Sequence, residues 1–84
     1  MPRPSDAEIE AALLHLAHAR GSGKTFCPSE VAREMSPDWR NMMPDIRRVA
    51  AQLQGAGRLV ATQKGVVVDA RTARGPIRLG QPRS

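Results

Sequence analysis

Few residues in this chain have types and spacings that could do chemistry. Gly21-Ser22-Gly23-Lys24-Thr25 has the ending of a phosphate-cradling loop. The full pattern needs a glycine five positions before Gly23 and a strand leading in. His18 holds that position, and the segment closes a helical stretch instead of opening one. Nucleotide binding is not expected there. His15 and His18 sit three apart, a spacing at which two imidazoles can share a metal. No third ligand has matching placement, and both fall opposite the Ile9/Leu13/Leu16 stripe, so they are expected on the surface without a metal. Cys27 precedes Pro28 at a helix start, where backbone amides can lower a thiol pKa. A nucleophile also needs a base, and no histidine is near in sequence. Cys27 is expected as a small, partly buried residue. With no Tyr, no Ser/His/Asp grouping and no acidic pair in a plausible cleft, the chain is read as a non-enzyme without a cofactor.

Charge is more informative. Thirteen Lys+Arg against eight Asp+Glu give +5 in 84 residues. Residues 1–42 hold 5 basic and 6 acidic side chains, a net of −1, and residues 43–84 hold 8 and 2, a net of +6. One basic half beside a near-neutral half is the footprint of a polyanion binder. Eleven of the 13 are Arg and 12 residues are Ala, so base composition of the genome is the competing explanation. The candidate contacts are Arg40, Asn41, Arg47, Arg48 and Gln52 on or beside the exposed face of a helix. Arg and Asn/Gln are the side chains that pair with guanine and adenine edges. Lys64, Arg71 and Arg74 fall in a following loop, where they would reach phosphates. Asp45 beside that face counts against DNA. The only aromatics, Phe26 and Trp39, are assigned to the core, which excludes a stacking platform for single strands.

Those side chains need elements to position them. Residues 1–4 carry two prolines and are expected as a flexible arm. Ser5 and Glu8 form a capping box, and Ile9, Ala12, Leu13, Leu16 and Ala17 predict a helix from Asp6 to Arg20, stopped by Gly21-Ser22-Gly23. Lys24-Thr25-Phe26 is extended. Pro28 opens a short helix ending near Met35, with Val31, Ala32 and Met35 as its apolar stripe. Trp39, Met42, Met43, Ile46, Val49, Ala50 and Leu53 share one face of a third helix. Pro44 removes a hydrogen bond from it and crowds Arg40, predicting a separate turn at 37–42 and a main helix from Met43 or Pro44. Arg58–Gln63 alternates as a strand, Lys64-Gly65 is a turn, and Pro76–Leu79 is a short strand placed at an edge by its proline. The expected core is Ile9, Leu13, Leu16, Phe26, Val31, Met35, Trp39, Ile46, Val49, Leu53, Leu59, Ile77 and Leu79.

This order predicts a mainly α winged helix-turn-helix: three helices with a two- to three-stranded antiparallel sheet as the wing. One domain spans 5–79, with a disordered tail over 80–84. No apolar run is long enough to cross a membrane and the single cysteine rules out an internal disulfide, so the expected location is the cytoplasm.

Lys24-Thr25-Phe26-Cys27-Pro28-Ser29-Glu30-Val31-Ala32-Arg33, Trp39-Arg40, Met43-Pro44, Thr62-Gln63-Lys64-Gly65 and Ala73-Arg74-Gly75-Pro76-Ile77-Arg78 resemble a bacterial family known as domain of unknown function 3253. The likeness covers about residues 6–79. It implies a small winged-helix-like bacterial protein and brings no catalytic or binding residues with it. Two functions remain in competition. One is a module for double-stranded DNA, with the third helix in the major groove and the wing on the backbone. The other is a protein-interaction module docking the same basic face on an acidic partner, favoured by Pro44 and Asp45 near the helix start.

Overall fold

A computed structural model describes residues 3–82. The elements are α1 (Asp6–Arg20), β1 (Thr25–Phe26), α2 (Pro28–Met35), α3 (Trp39–Gly55), β2 (Val60–Gln63), β3 (Val66–Val67) and β4 (Arg78–Gly80). Three helices and one antiparallel sheet make a winged-helix-like layout. The sheet has four strands, because both β1 and β3 pair into it.

The first two helices start where their local chemistry says they should. The Ser5 hydroxyl accepts from the Glu8 amide at 3.1 Å, and the Ser5 amide donates to Glu8 Oε1 at 3.1 Å. This reciprocal cap satisfies two otherwise orphaned donors. Pro28 begins α2, and the Cys27 amide donates to Glu30 Oε2 at 2.8 Å.

Pro44 does not divide the third helix. A turn at Pro37–Asp38 leads directly into α3, which runs unbroken through Pro44. The local rule is overridden because Arg40 and Pro44 both lie on the exposed side, where water can satisfy the one carbonyl that loses its donor. On the other side Met42, Ile46, Val49, Ala50 and Leu53 are buried and hold the helix to the core.

The sheet order is β1-β4-β2-β3. Phe26, Leu79 and Ala61 stand opposite one another across three strands, each fully buried, and form the floor of the core. The strand expected at an edge is therefore central. Pro76 lies before β4 and takes no part in the pairing, so it imposes no edge position. The strand expected from Arg58 begins at Val60. Lys64 and Gly65, with φ of 52° and 82°, make the two-residue β2–β3 hairpin turn, whose twist needs positive φ at both positions.

Ten of the thirteen expected core residues are fully buried. Leu16, Met35 and Trp39 are half-buried and pack against the core from its rim. Met42, Ala61 and Ala70 also lie in the interior, as do Ala17, Ala32 and Ala50, whose small side chains let the helices approach closely. Gly80, expected in the tail, is a buried strand residue paired with Thr25 and Val60. A Cβ there would crowd the Lys24 carbonyl at 3.0 Å, so the β1–β4 approach favours glycine. Arg3, expected in the flexible arm, donates to the Asn41 carbonyl at 2.6 Å. Residues 1–2 of that arm and 83–84 of the tail lie outside the described residues.

Because Pro44 interrupts a continuous helix, Pro44→Ala restores its backbone bond. It should raise stability by about 1–2 kcal/mol after the opposing loss of proline's stiffness in the unfolded chain. Chemical denaturation would measure this, and an unchanged or lower midpoint would show that the chain gains nothing from the restored bond.

Candidate nucleic-acid interface

The basic residues singled out by sequence divide into two groups, those committed to bonds inside the fold and those left outward. Arg48 belongs to the first. Its guanidinium donates to both oxygens of Asp6 at 2.7 and 2.8 Å and to Asp45 Oδ1 at 3.3 Å. This fork ties the middle of α3 to the start of α1, across 42 residues of chain. The Arg48 hydrogen bonds hold the Asp6 carboxyl below its usual range, and Asp6, then Asp45, push the Arg48 pKa further up. The central cation of the third helix is neutralised.

Arg47 is committed too. It donates to the carbonyls of Ala73, at 2.8 Å, and Gly75. Two other side chains grip the same loop, residues 68–77, which connects β3 to β4. Gln54 donates to the Val68 carbonyl at 2.6 Å and accepts from the Ala70 amide at 3.0 Å. Gln63 donates to the carbonyls of Arg74 and Pro76. Within the loop, Asp69 Oδ1 accepts from the Arg71 amide at 2.7 Å. A segment with no regular structure thus has much of its backbone satisfied by three long side chains, and Ala70 and Ile77 pin it to the core.

Lys64 projects from the hairpin tip, and Arg71 and Arg74 from the braced loop; all three are exposed. Among the described residues none of them is within ion-pair distance of a carboxylate. The third helix adds Gln52 and Arg40, both exposed. Asn41 is exposed, but its amide group donates to both oxygens of Asp38 at 2.8 and 3.0 Å. The exposed residues beside the neutralised Arg48 on the outer face of α3, Pro44 and Gly55, are uncharged.

Trp39 departs from its expected burial. It is half-exposed, with the Arg33 and Arg40 guanidinium carbons each 4.5 Å from its ring centroid. Arg33 is not among the contacts expected from sequence, because assigning the indole to the core leaves no role for the arginines that flank the single Trp. His15 and His18 are both exposed, as expected. Cys27 is half-buried, and Arg78 Nη1 lies 3.2 Å from its sulfur.

Two outcomes follow from the committed arginines. Arg47→Ala strips the Ala73 and Gly75 carbonyls of their donors, so stability should fall by about 1–3 kcal/mol and amide exchange should quicken in residues 68–77. Unchanged exchange there would mean that Arg47 does not hold the loop. For Asp6, the folded-state pKa lies below the ordinary 3.8, so its contribution is present above that pH and is lost as pH falls through the folded value. Asp6→Asn should lower the melting temperature at neutral pH, with the gap to wild type closing below about pH 4. A gap constant to pH 2 would assign the effect to something other than the charge.

No helix among the described residues is long and apolar enough to cross a membrane. No curated protein matches the sequence. The profile of the family described as Protein of unknown function (DUF3253) matches residues 6–82, from the first residue of α1 past the end of β4, and the chain belongs to that family.

Proposed function

We propose that this protein is a binding module for double-stranded DNA that holds the sugar–phosphate backbone with Lys64, Arg71 and Arg74. The observation that carries this reading is the division of its cations. Arg47 and Arg48 are committed internally, whereas among the described residues the wing cations pair with no carboxylate, Lys64 on the hairpin turn and Arg71 and Arg74 on a loop braced from three sides. A braced loop presents charge with little ordering cost on binding. The outer face of α3 lies over the groove and offers Gln52, with Arg40 at its N-terminal end. Backbone contacts then dominate, and base readout is slight. The setting we propose is the cytoplasm of a bacterium.

A second reading has its own observation. Val66 and Val67, beside the wing, are each 65% exposed. Apolar area next to unpaired cations suits an acidic protein surface, which would use the same basic face.

Salt separates the two. Duplex binding releases condensed counterions, so affinity for a random duplex should fall with salt with a slope near −3 on logarithmic axes for about three phosphate contacts. Arg71→Ala and Arg74→Ala should each reduce the slope by about one. Arg48→Ala should leave it unchanged, because that charge is neutralised in place. A wild type that fails to bind duplex at low salt even near millimolar concentration would exclude DNA in favour of the protein partner.

A further inference from the structure

The Arg33–Trp39–Arg40 cluster lies on α2 and the first turn of α3, away from the wing. Both guanidinium carbons are 4.5 Å from one ring centroid, so they are separated by at most twice that distance. Two like charges this close repel, and the usual remedy is a carboxylate between them. None is present: among the described residues neither Arg33 nor Arg40 makes an ion pair. The nearby acids are not paired with them. Asp38 accepts from the Asn41 amide, Glu30 accepts from Arg20 and the Cys27 amide, and Glu34 makes no ion pair among the described residues. The indole backs both arginines, its ring attracting cations while leaving their N–H edges open. Guanidiniums with open donor edges suit phosphate oxygens.

The duplex-binding reading says which phosphates. Arg40 opens α3, and Arg47, seven residues on and about 10 Å along the helix axis, holds the wing loop through the carbonyls on either side of Arg74. The cluster and the wing cations therefore sit on separate parts of the chain and would meet separate phosphates of a duplex.

We infer that Arg33 and Arg40, held on Trp39, form a second phosphate site on the duplex, apart from the wing. This rests on the duplex-binding reading above. It adds a contact at the start of α3 and includes Arg33 in the interface.

Trp39 is the only Trp and there is no Tyr, so intrinsic emission reports this site alone. The test titrates the full chain with mixed-sequence duplex, following Trp39 emission and, separately, the anisotropy of labelled DNA. Wild-type emission should change in step with anisotropy. With this site added to the wing's share of about −3, the wild-type slope should steepen by about one to two. Arg33→Gln should weaken binding several-fold, lower the slope by about one and remove most of the emission change. Arg74→Gln should lower the slope equally but keep the emission change at saturation. Thermal melts check that each variant is folded, and Arg40→Gln replaces Arg33→Gln if the latter is not. Constant Trp39 emission at saturating duplex, or wild-type affinity and slope in both cradle variants, overturns the second site and leaves the wing reading standing. Absence of any anisotropy change in the wild type overturns both.

Discussion

The fold depends on giving partners to the backbone of residues 68–77. That segment leaves the short edge strand β3 and must deliver β4 to the middle of the sheet, between β1 and β2. It has no helix or ladder of its own, and an unpaired, partly buried amide or carbonyl costs about as much as a lost hydrogen bond. Arg47 and Gln54 from α3 and Gln63 from β2 supply those partners. The placement of β4, the burial of Leu79 against Phe26 and Ala61, and the closure of the core all follow from it. The same three side chains set the stance of Arg71 and Arg74, so stability and the proposed function meet in one loop.

Charge is organised to the same end. An excess of cations invites a reading in which every exposed Arg is available to a partner. Here the cation at the centre of the third helix is neutralised by Asp6 and Asp45, and its neighbour Arg47 is turned to backbone carbonyls. Arg20 is paired with Glu30 and Arg58 lies 3.7 Å from Glu10. Among the described residues, the exposed cations outside ion pairs are those of the wing, the indole-backed pair near the start of α3, Lys24 ahead of β1, and Arg78, which is turned to Thr25 and Cys27. A surface of this kind favours holding a phosphate backbone over discriminating bases.

Most of what local chemistry determines was legible in the sequence. The Ser5/Glu8 cap, the Pro28 helix start, the Lys64-Gly65 turn and the apolar stripes of α1 and α3 depend on residues within a turn or two of one another. The misreadings are non-local. Pro44 breaks an isolated helix, but the buried face of α3 carries the chain across it. Pro76 signals an edge strand only if it lies within the pairing, which ladder partners more than fifteen residues away decide. Arg48 and Asp6 are 42 residues apart, and nothing in spacing or composition joins them. Of the candidate contacts, Lys64, Arg71, Arg74, Arg40 and Gln52 face outward, while Arg47, Arg48 and Asn41 have internal partners that only the tertiary structure reveals.

The central position of β4 also bears on how the molecule is made. Its two sheet neighbours, β1 and β2, leave the ribosome well before it. Until residues 78–80 emerge, Phe26 and Ala61 have no Leu79 between them, and two strands present open edges to the cell. The nascent chain can form its helices early, since their contacts are local, but it cannot close the sheet piecemeal. Completion is a late, all-or-none event, and a chain that stalls or is cut ahead of Ile77 is a substrate for chaperones and proteases, not a smaller working domain.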